Sequence, residues 1–381
     1  MPEVAPHVAA VPPSGIRRIH DIGLALGGEI NWLLAGEPVG PIAPHIGEAA
    51  DAAWRAGRTR YNPNGGVPPF RRAVADWLRG SLRADVTPER VWATIGGTEA
   101  IYQAMGLVLE PGEEVLIPDP GYTTFTMAAR YHSAAPVPYP LRVEAGFLPE
   151  VDRIEALITP RTRAILVNSP SNPLGTVIDE PIARGILELA RRHDLWVISD
   201  EVYERLTWDR PHVSLTALDT EQRVLGVFSF SKTYAMTGIR IGALVAPDAF
   251  DGPLRAIQEA VISCVNEPAQ FAAIAALTGP QAHVEEARAH YRANYEAGRA
   301  VLDAKGLRHV EPGGAFYYWI DMSHVAGGDV ATWCERFLRE ERVGVAPGSA
   351  FGASGEGWIR VCFAGDREAL LAGLDRLPAL A

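Results

Sequence analysis

The segment SFSKTYAMTGIR, from Ser229 to Arg240, carries a lysine in a chain that otherwise uses arginine for positive charge. The only other lysine is Lys305. Arginine stays protonated in proteins, whereas a buried lysine can lose its proton and attack a carbonyl. Lys232 follows an apolar run and lies beside small residues, a setting that favours burial. The segment therefore predicts a nucleophilic lysine at the end of a strand, with an ordinary solvated lysine as the alternative.

Upstream of this segment, short apolar runs alternate with helical stretches such as EPIARGILELARRH. This alternation predicts an α/β domain with a mainly parallel sheet and helices on both faces. Ligands bind such sheets at the carboxyl ends of the strands. The predicted strands are VWATI, EEVLIP, RAILVN, LWVISD and RVLGVFSF.

Polar or small residues follow four of these strands, namely Gly97, Asn168, Asp200 and Lys232. Because the carboxyl ends of parallel strands meet at one edge, we expect these residues to share a site.

The pattern changes towards the C-terminus. A long helix is predicted to end at Gly306, followed by a strand (AFYYWIDM), a helix, a strand (GWIRVCFA) and a terminal helix. These elements predict a smaller α+β domain. The expected division is an N-terminal segment over 1–45 that packs on the small domain and the site, a large domain over 46–284 and a small domain over 285–381.

Composition excludes several classes of function. The net charge of −11 argues against nucleic acid and anionic membranes as partners. Cys264, Cys334 and Cys362 are scattered, so neither a disulfide framework nor a metal site is predicted. The N-terminus does not have the pattern of a signal peptide, and no 18-residue apolar run occurs. A cytoplasmic protein is expected.

Asp200 closes the run LWVISD and is followed by Tyr203. A carboxylate there could hold a proton on a heterocyclic nitrogen, or it could simply cap a helix. Asn172, which lies in the stretch NSPSNPLG, and Tyr203 could each donate a hydrogen bond to a phenolate oxygen on such a heterocycle. A packing tyrosine and a loop turn are the alternatives.

The stretch GGTEA, from Gly96 to Ala100, lies at a predicted strand-to-helix junction. Glycines let a phosphate approach the backbone, and a helix N-terminus supplies free N–H groups. Ser229 and Arg240 could complete a phosphate site, with the Arg240 guanidinium as a forked donor. A tight turn is the alternative reading of GGTEA.

Taken together, the patterns NPxG, SDEVY and SxSKxxxMxGxR resemble the class I/II aminotransferases, which are pyridoxal-phosphate-dependent enzymes of fold type I. The resemblance runs from about Ser14 to the C-terminus. It implies that Lys232 bonds covalently to the cofactor and later shuttles a proton, and that Asp200 pairs with the pyridine nitrogen. The resemblance gives the remaining cofactor contacts to Tyr203 and Asn172 at the phenolate oxygen, to Gly97, Thr98, Ser229 and Arg240 at the phosphate, and to Tyr122 stacked on the ring.

The resemblance also implies substrate contacts and an assembly. Arg360, in WIRVCFA, would bind the substrate α-carboxylate together with Gly36 and Asn172; a structural salt bridge is the alternative for Arg360. Tyr61, in YNPNGG, would reach the phosphate of a neighbouring subunit, which implies a homodimer with shared sites.

Some positions depart from the family pattern. Leu174 replaces the threonine of NPTG, and GEPVGPIAPHI replaces the usual GEPDFDTP of the segment that covers the substrate. Thr98 lies where aspartate-using bacterial relatives often have a lysine. We therefore expect a neutral or aromatic L-amino acid as the amino donor.

The predicted reaction is transfer of an amino group to a 2-oxo acid with ping-pong kinetics. Alternatives are β-elimination, decarboxylation or a biosynthetic cyclisation on the same scaffold. A regulator that binds its effector with this fold is a further alternative, disfavoured by the acidic chain.

Overall fold

The computed structural model describes residues 2–38 and 40–380. Over these residues the strands are β1 (Asn31–Trp32), β2 (Val91–Thr94), β3 (Glu114–Asp119), β4 (Ala135–Pro140), β5 (Thr162–Asn168), β6 (Trp196–Asp200), β7 (Val224–Ser229), β8 (Gly242–Val245), β9 (Tyr317–Asp321), β10 (Val343–Gly344), β11 (Ala346–Pro347) and β12 (Trp358–Cys362). The α-helices are α1 (Pro6–Ala9), α2 (Gly15–Leu26), α3 (Pro44–Arg55), α4 (Pro68–Trp77), α5 (Gly96–Val108), α6 (Thr123–Tyr131), α7 (Val151–Glu155), α8 (Glu180–His193), α9 (Leu215–Leu218), α10 (Phe230–Thr233), α11 (Asp251–Val261), α12 (Glu267–Thr278), α13 (Ala282–Ala304), α14 (Ser323–Ala326), α15 (Val330–Glu341) and α16 (Arg367–Asp375).

The central sheet of the described chain has seven strands in the order β2-β8-β7-β6-β5-β3-β4. Neighbouring strands from β7 to β4 pair in parallel, whereas β8 is antiparallel to both β2 and β7. Every residue of β2, β3, β7 and β8 is buried, as expected for strands covered on both faces. The predicted α/β fold with a mainly parallel sheet is confirmed. The antiparallel strand β8 was not predicted.

Local signals explain where several helices begin and end. Helix α8 has the predicted bounds because Asp179 caps its start, accepting from the Ile182 N–H at 3.0 Å, and Asp194 ends it in the left-handed conformation. In α4 the prolines occupy the first turn, where no N–H is needed. The predicted helix over GGTEAIYQAMGLVL is α5, and the long predicted helix that was expected to end at Gly306 is α13.

A second, three-stranded antiparallel sheet of order β11-β12-β9 is formed by the C-terminal part of the chain, next to α13, α15 and α16. The N-terminal segment contacts this part, since α2 packs against α15 and β1 pairs with β10. Helix α2 was not predicted; Ser14 caps it by accepting from the Arg17 N–H. The division into three parts at residues 45 and 284 stays a prediction. Of the helices in the described ranges, none is long and apolar enough to cross a membrane.

Candidate active site

The predicted site residues meet in one pocket of about 340 Å³ at the carboxyl ends of the central strands. The pocket is enclosed by strand ends, by the N-terminus of α5 and by residues 34–37 of the N-terminal segment, which we call the strap. The predicted residues that line it are Gly36, Gly97, Thr98, Tyr122, Asn172, Asp200, Tyr203, Ser229, Lys232, Arg240 and Arg360. Tyr61 does not line this pocket, and its side chain is 90% exposed.

Lys232 lies in the short helix α10 directly after β7. Ser229 caps this turn by accepting from the Ser231 N–H at 3.2 Å. The Lys232 Nζ points into the pocket and donates to the Gly36 carbonyl at 2.7 Å. Burial, helped by the nearby Arg360 charge, lowers the pKa of Lys232 to about 8. A substantial share of the amine is therefore neutral, and nucleophilic, near physiological pH.

Asp200 is the last residue of β6 and is only 3% exposed. One of its carboxylate oxygens accepts from the Val202 N–H at 3.3 Å. Burial is the main cause that raises the pKa of Asp200 to about 7, the neighbouring Glu201 raises it further, and the Lys232 charge opposes the shift. Such a carboxyl is suited to exchanging a proton with a base placed against it.

Arg360 is 2% exposed, on β12. Its Nη1 donates to the Asn172 side-chain oxygen at 2.7 Å and its Nη2 to the Leu34 carbonyl at 2.5 Å. Its Nε lacks a hydrogen-bond partner, and no carboxylate in the described part of the chain pairs with the guanidinium. Because a buried cation without an anion is costly, this guanidinium is ready to bind an anionic ligand.

The opposite end of the pocket is built around the first turn of α5. Gly96 has φ +73°, and a Cβ there would lie 2.6 Å from the Arg240 Nη2, so the close approach requires glycine. Arg240 is held over this turn by the Thr237 carbonyl at 2.7 Å and the Ile95 carbonyl at 3.2 Å. Free helix N–H groups and a guanidinium together suit a phosphate.

Eight lining residues were not among the predicted site residues: Ile16, Leu34, Ala35, Ile101, Val202, Ser231, Thr237 and Tyr317. Thr237 donates from its hydroxyl to the Glu37 carboxylate, which ties the strap to the loop after Lys232. Tyr317 lies on β9 beside β12, and strand alternation in that pair puts its side chain on the same face as Arg360. That alternation is the signal that could have identified Tyr317.

The chain matches the family model for aminotransferase class I and II over residues 29–377. The chain belongs to this family. The aspartate/prephenate aminotransferase of Thermus thermophilus is 35% identical to it over 375 residues, covering 97% of this chain and 96% of the relative. Aromatic-amino-acid aminotransferase 2 of Thermococcus litoralis is 35% identical over 372 residues, covering 96% and 95%.

The solved structures that resemble this chain agree with that assignment. The aspartate aminotransferase of Thermus thermophilus with maleate matches with a TM-score of 0.94 at 34% identity, over 99% of both chains. The chain is therefore a pyridoxal-phosphate-dependent aminotransferase of fold type I, as predicted.

The pocket fits this cofactor on its own chemistry. Of its described lining residues, the cations are Lys232, Arg240 and Arg360, set against a single buried carboxyl at Asp200. This surplus of positive charge suits a dianionic phosphate at one end and a substrate carboxylate at the other. The neutral fraction of the Lys232 amine suits an aldehyde between them.

Proposed function

We propose that this aminotransferase moves the amino group of a neutral or aromatic L-amino acid to a 2-oxo acid in two alternating half-reactions. The observation that carries the proposal is the convergence of Lys232, Asp200 and Arg360 in one pocket, each with altered or unsatisfied charge. Bound pyridoxal phosphate supplies an aldehyde and a pyridine ring that withdraws electrons.

Each residue of the pocket has a role that its surroundings support. Asp200 would hold a proton on the ring nitrogen, because its buried carboxylate, ionised once the cofactor is bound, would balance the positive charge of the protonated ring. Tyr122 would cover the ring; its loop is anchored where the Gly121 N–H donates to the Phe351 carbonyl at 2.7 Å. The phosphate would be held by Gly97, Thr98, Ser229 and Arg240, and the phenolate oxygen by Asn172 and Tyr203.

Lys232 would act twice. Its neutral amine would first attach the cofactor through Nζ. When its amine is free, Nζ would accept the proton of the substrate Cα and later donate it to C4′ of the cofactor. A pKa of about 8 suits both directions of this transfer, because both protonation states are well populated near neutral pH.

Arg360 would bind the substrate carboxylate. Its present hydrogen bonds go to neutral oxygens of Asn172 and Leu34, which are weaker partners than a carboxylate. The substrate would replace the Leu34 carbonyl, while Asn172 keeps the guanidinium in place. The strap at Gly36, which already contacts Lys232, would then close over the bound substrate.

The side-chain preference rests on charge and space. Thr98 supplies no positive charge at the position where aspartate-using relatives often carry a lysine. A second cavity of about 520 Å³ adjoins the site at Tyr122, and its apolar lining includes Ile117, Met127 and Phe351. Two cations, Arg18 and Arg130, and two carboxyls, Asp119 and Glu335, also line this cavity, and Arg18 is paired with Glu335 at 2.6 Å. An aromatic or neutral side chain suits this space better than a carboxylate.

A panel of L-amino acids added singly to the holoenzyme tests the proposal. We expect phenylalanine, tyrosine and leucine to bleach the visible cofactor band faster than aspartate, and a 2-oxo acid to restore it. In the Thr98→Lys variant the ratio of aspartate to phenylalanine rates should rise about 10- to 150-fold, because one charged hydrogen bond contributes about 1.5–3 kcal/mol. Faster bleaching by aspartate in the unmodified protein would contradict the preference. Release of ammonia without an acceptor would contradict transamination.

The predicted cytoplasmic location stays a prediction. We also propose that the protein forms a homodimer in which the two subunits share their active sites. Tyr61 is exposed, although the resemblance places it at a cofactor phosphate. Ile95 and Ile239, each 37% exposed, directly precede residues of the phosphate end of the pocket. Apolar side chains at this edge support a second subunit that covers it.

Subunit mixing tests the shared site. Tyr61→Ala should weaken cofactor binding roughly tenfold or more, because it removes a hydrogen bond to a charged group. Mixed with Lys232→Ala chains, it should regain activity at limiting cofactor, since one site of each hybrid then has both residues. A mixture that exchanges subunits yet stays as inactive as its components would rule out the arrangement.

A further inference from the structure

We propose that Tyr317 is a positioning residue that serves both cofactor and substrate: it orients the Tyr203 hydroxyl towards the cofactor and holds the Arg360 guanidinium that binds the substrate. This inference rests on the proposed function of the pocket. It assigns a role to a side chain that the sequence patterns did not single out.

The geometry brings three functional groups to one ring. Tyr317 is 1% exposed on β9, and its hydroxyl lies 2.7 Å from the Tyr203 hydroxyl. The Arg360 Cζ lies 4.4 Å from the centre of the Tyr317 ring and 4.8 Å from the centre of the Phe351 ring. A Cβ at Gly36 would come within 2.3 Å of the Tyr317 hydroxyl, so the strap rests directly on it.

The hydrogen bond between the Tyr203 and Tyr317 hydroxyls has a single direction once Tyr203 binds the cofactor. If Tyr203 donates its proton to the cofactor's phenolate oxygen, the hydrogen bond between the tyrosines requires Tyr317 to donate to Tyr203. Hydrogen bonds in a chain strengthen one another, particularly in a buried site. Tyr317 therefore makes Tyr203 a better donor and stabilises negative charge on the phenolate oxygen.

The ring has a separate task at Arg360. A guanidinium over an aromatic face is attracted by the ring electrons, and this contact restricts its orientation. Arg360 Nε lacks a partner among the residues described, so the Tyr317 and Phe351 rings and the two Nη hydrogen bonds hold the group. Removing the hydroxyl and removing the ring should consequently have different effects.

The test is a pH titration of the visible absorbance of the holoenzyme. Tyr317→Phe should raise the pKa of that absorbance by about 0.5–1 pH unit, because it removes one hydrogen bond that favours the phenolate. The shift should vanish in the Tyr203→Phe background, since the hydroxyl then has nothing to orient. Tyr317→Leu should also raise KM for the amino acid about 3- to 30-fold, whereas Tyr317→Phe should leave KM nearly unchanged.

Tyr318→Phe is the matched control. Tyr318 is equally buried on the same strand, but its hydroxyl donates to the Tyr295 carbonyl and does not line the pocket. The pKa of the visible absorbance of Tyr318→Phe should equal that of the unmodified protein. An unshifted pKa in Tyr317→Phe, a shift that persists without the Tyr203 hydroxyl, or an equal shift in Tyr318→Phe would overturn the inference. Absence of any visible band in the unmodified protein with cofactor would overturn the proposed function as well.

Discussion

Replacing Lys232 with alanine should lower transamination at least about 10⁴-fold and abolish covalent attachment of the cofactor. Both tasks of the pocket depend on this amine: attachment of the aldehyde and transfer of the Cα proton. Its pKa of about 8 depends on burial and on the Arg360 charge, a combination that no other lysine in the chain has. The measurement is turnover together with the visible spectrum at saturating cofactor.

The chain offers a clean control for this experiment because it contains only one other lysine. Lys305 follows α13, where its Nζ donates to the Asp375 carbonyl at 2.7 Å. Lys305→Ala should retain the spectrum and the rate. Borohydride reduction of the holoenzyme followed by peptide mapping should find the cofactor on the peptide that contains Lys232. Adduct on Lys305, or activity in Lys232→Ala comparable to the unmodified protein, would refute the assignment.

The pocket could be anticipated because parallel strands bring their carboxyl ends together. Asp200 and Lys232 are 32 positions apart in the sequence, yet β6 and β7 are neighbours and place both at one edge. Neighbour relations of this kind follow from the βα pattern, and polar residues after buried strands are visible in the sequence.

The missed residues reach the pocket by routes that the sequence pattern does not encode. Ile16 comes from α2, a helix that was not predicted, and its position depends on packing against α15. Tyr317 belongs to a strand with several aromatic residues, where packing is the usual role of a tyrosine. Its hydroxyl acquires a special partner only because the fold brings β9 against Tyr203, in the loop after β6, which is a tertiary contact.

Asp200→Asn should reduce turnover by about 10²–10³-fold even when cofactor is saturating. An asparagine amide cannot balance a full positive charge on the ring nitrogen, so the ring would lose its proton and much of its electron-withdrawing strength. Covalent attachment through Lys232 should persist, which separates this defect from that of Lys232→Ala. Equal turnover in Asp200→Asn and the unmodified enzyme would contradict the pairing of Asp200 with the ring.

The cofactor-free protein gives an independent test through its stability. Burial raises the folded-state pKa of Asp200 from 3.8 to about 7, so between these values the folded state binds more protons than the unfolded state. The free energy of unfolding should therefore fall as pH rises through this window, by at most about 1.4 kcal/mol per pH unit from this group. Asp200→Asn removes that contribution, so its stability relative to the unmodified chain should increase from pH 4 to about pH 7.

Glu204 separates burial from function in the same experiment. It lies four residues after Asp200, is also buried, and burial raises its pKa to about 8, but it does not line the pocket. Glu204→Gln should show the same direction of stabilisation with rising pH, extended to about pH 8, while the holoenzyme keeps its spectrum and rate. If Glu204→Gln impaired turnover as much as Asp200→Asn, loss of any buried acid would explain both defects. A pH-independent stability difference for Asp200→Asn would show that burial does not raise the pKa of this carboxyl in the folded, cofactor-free chain.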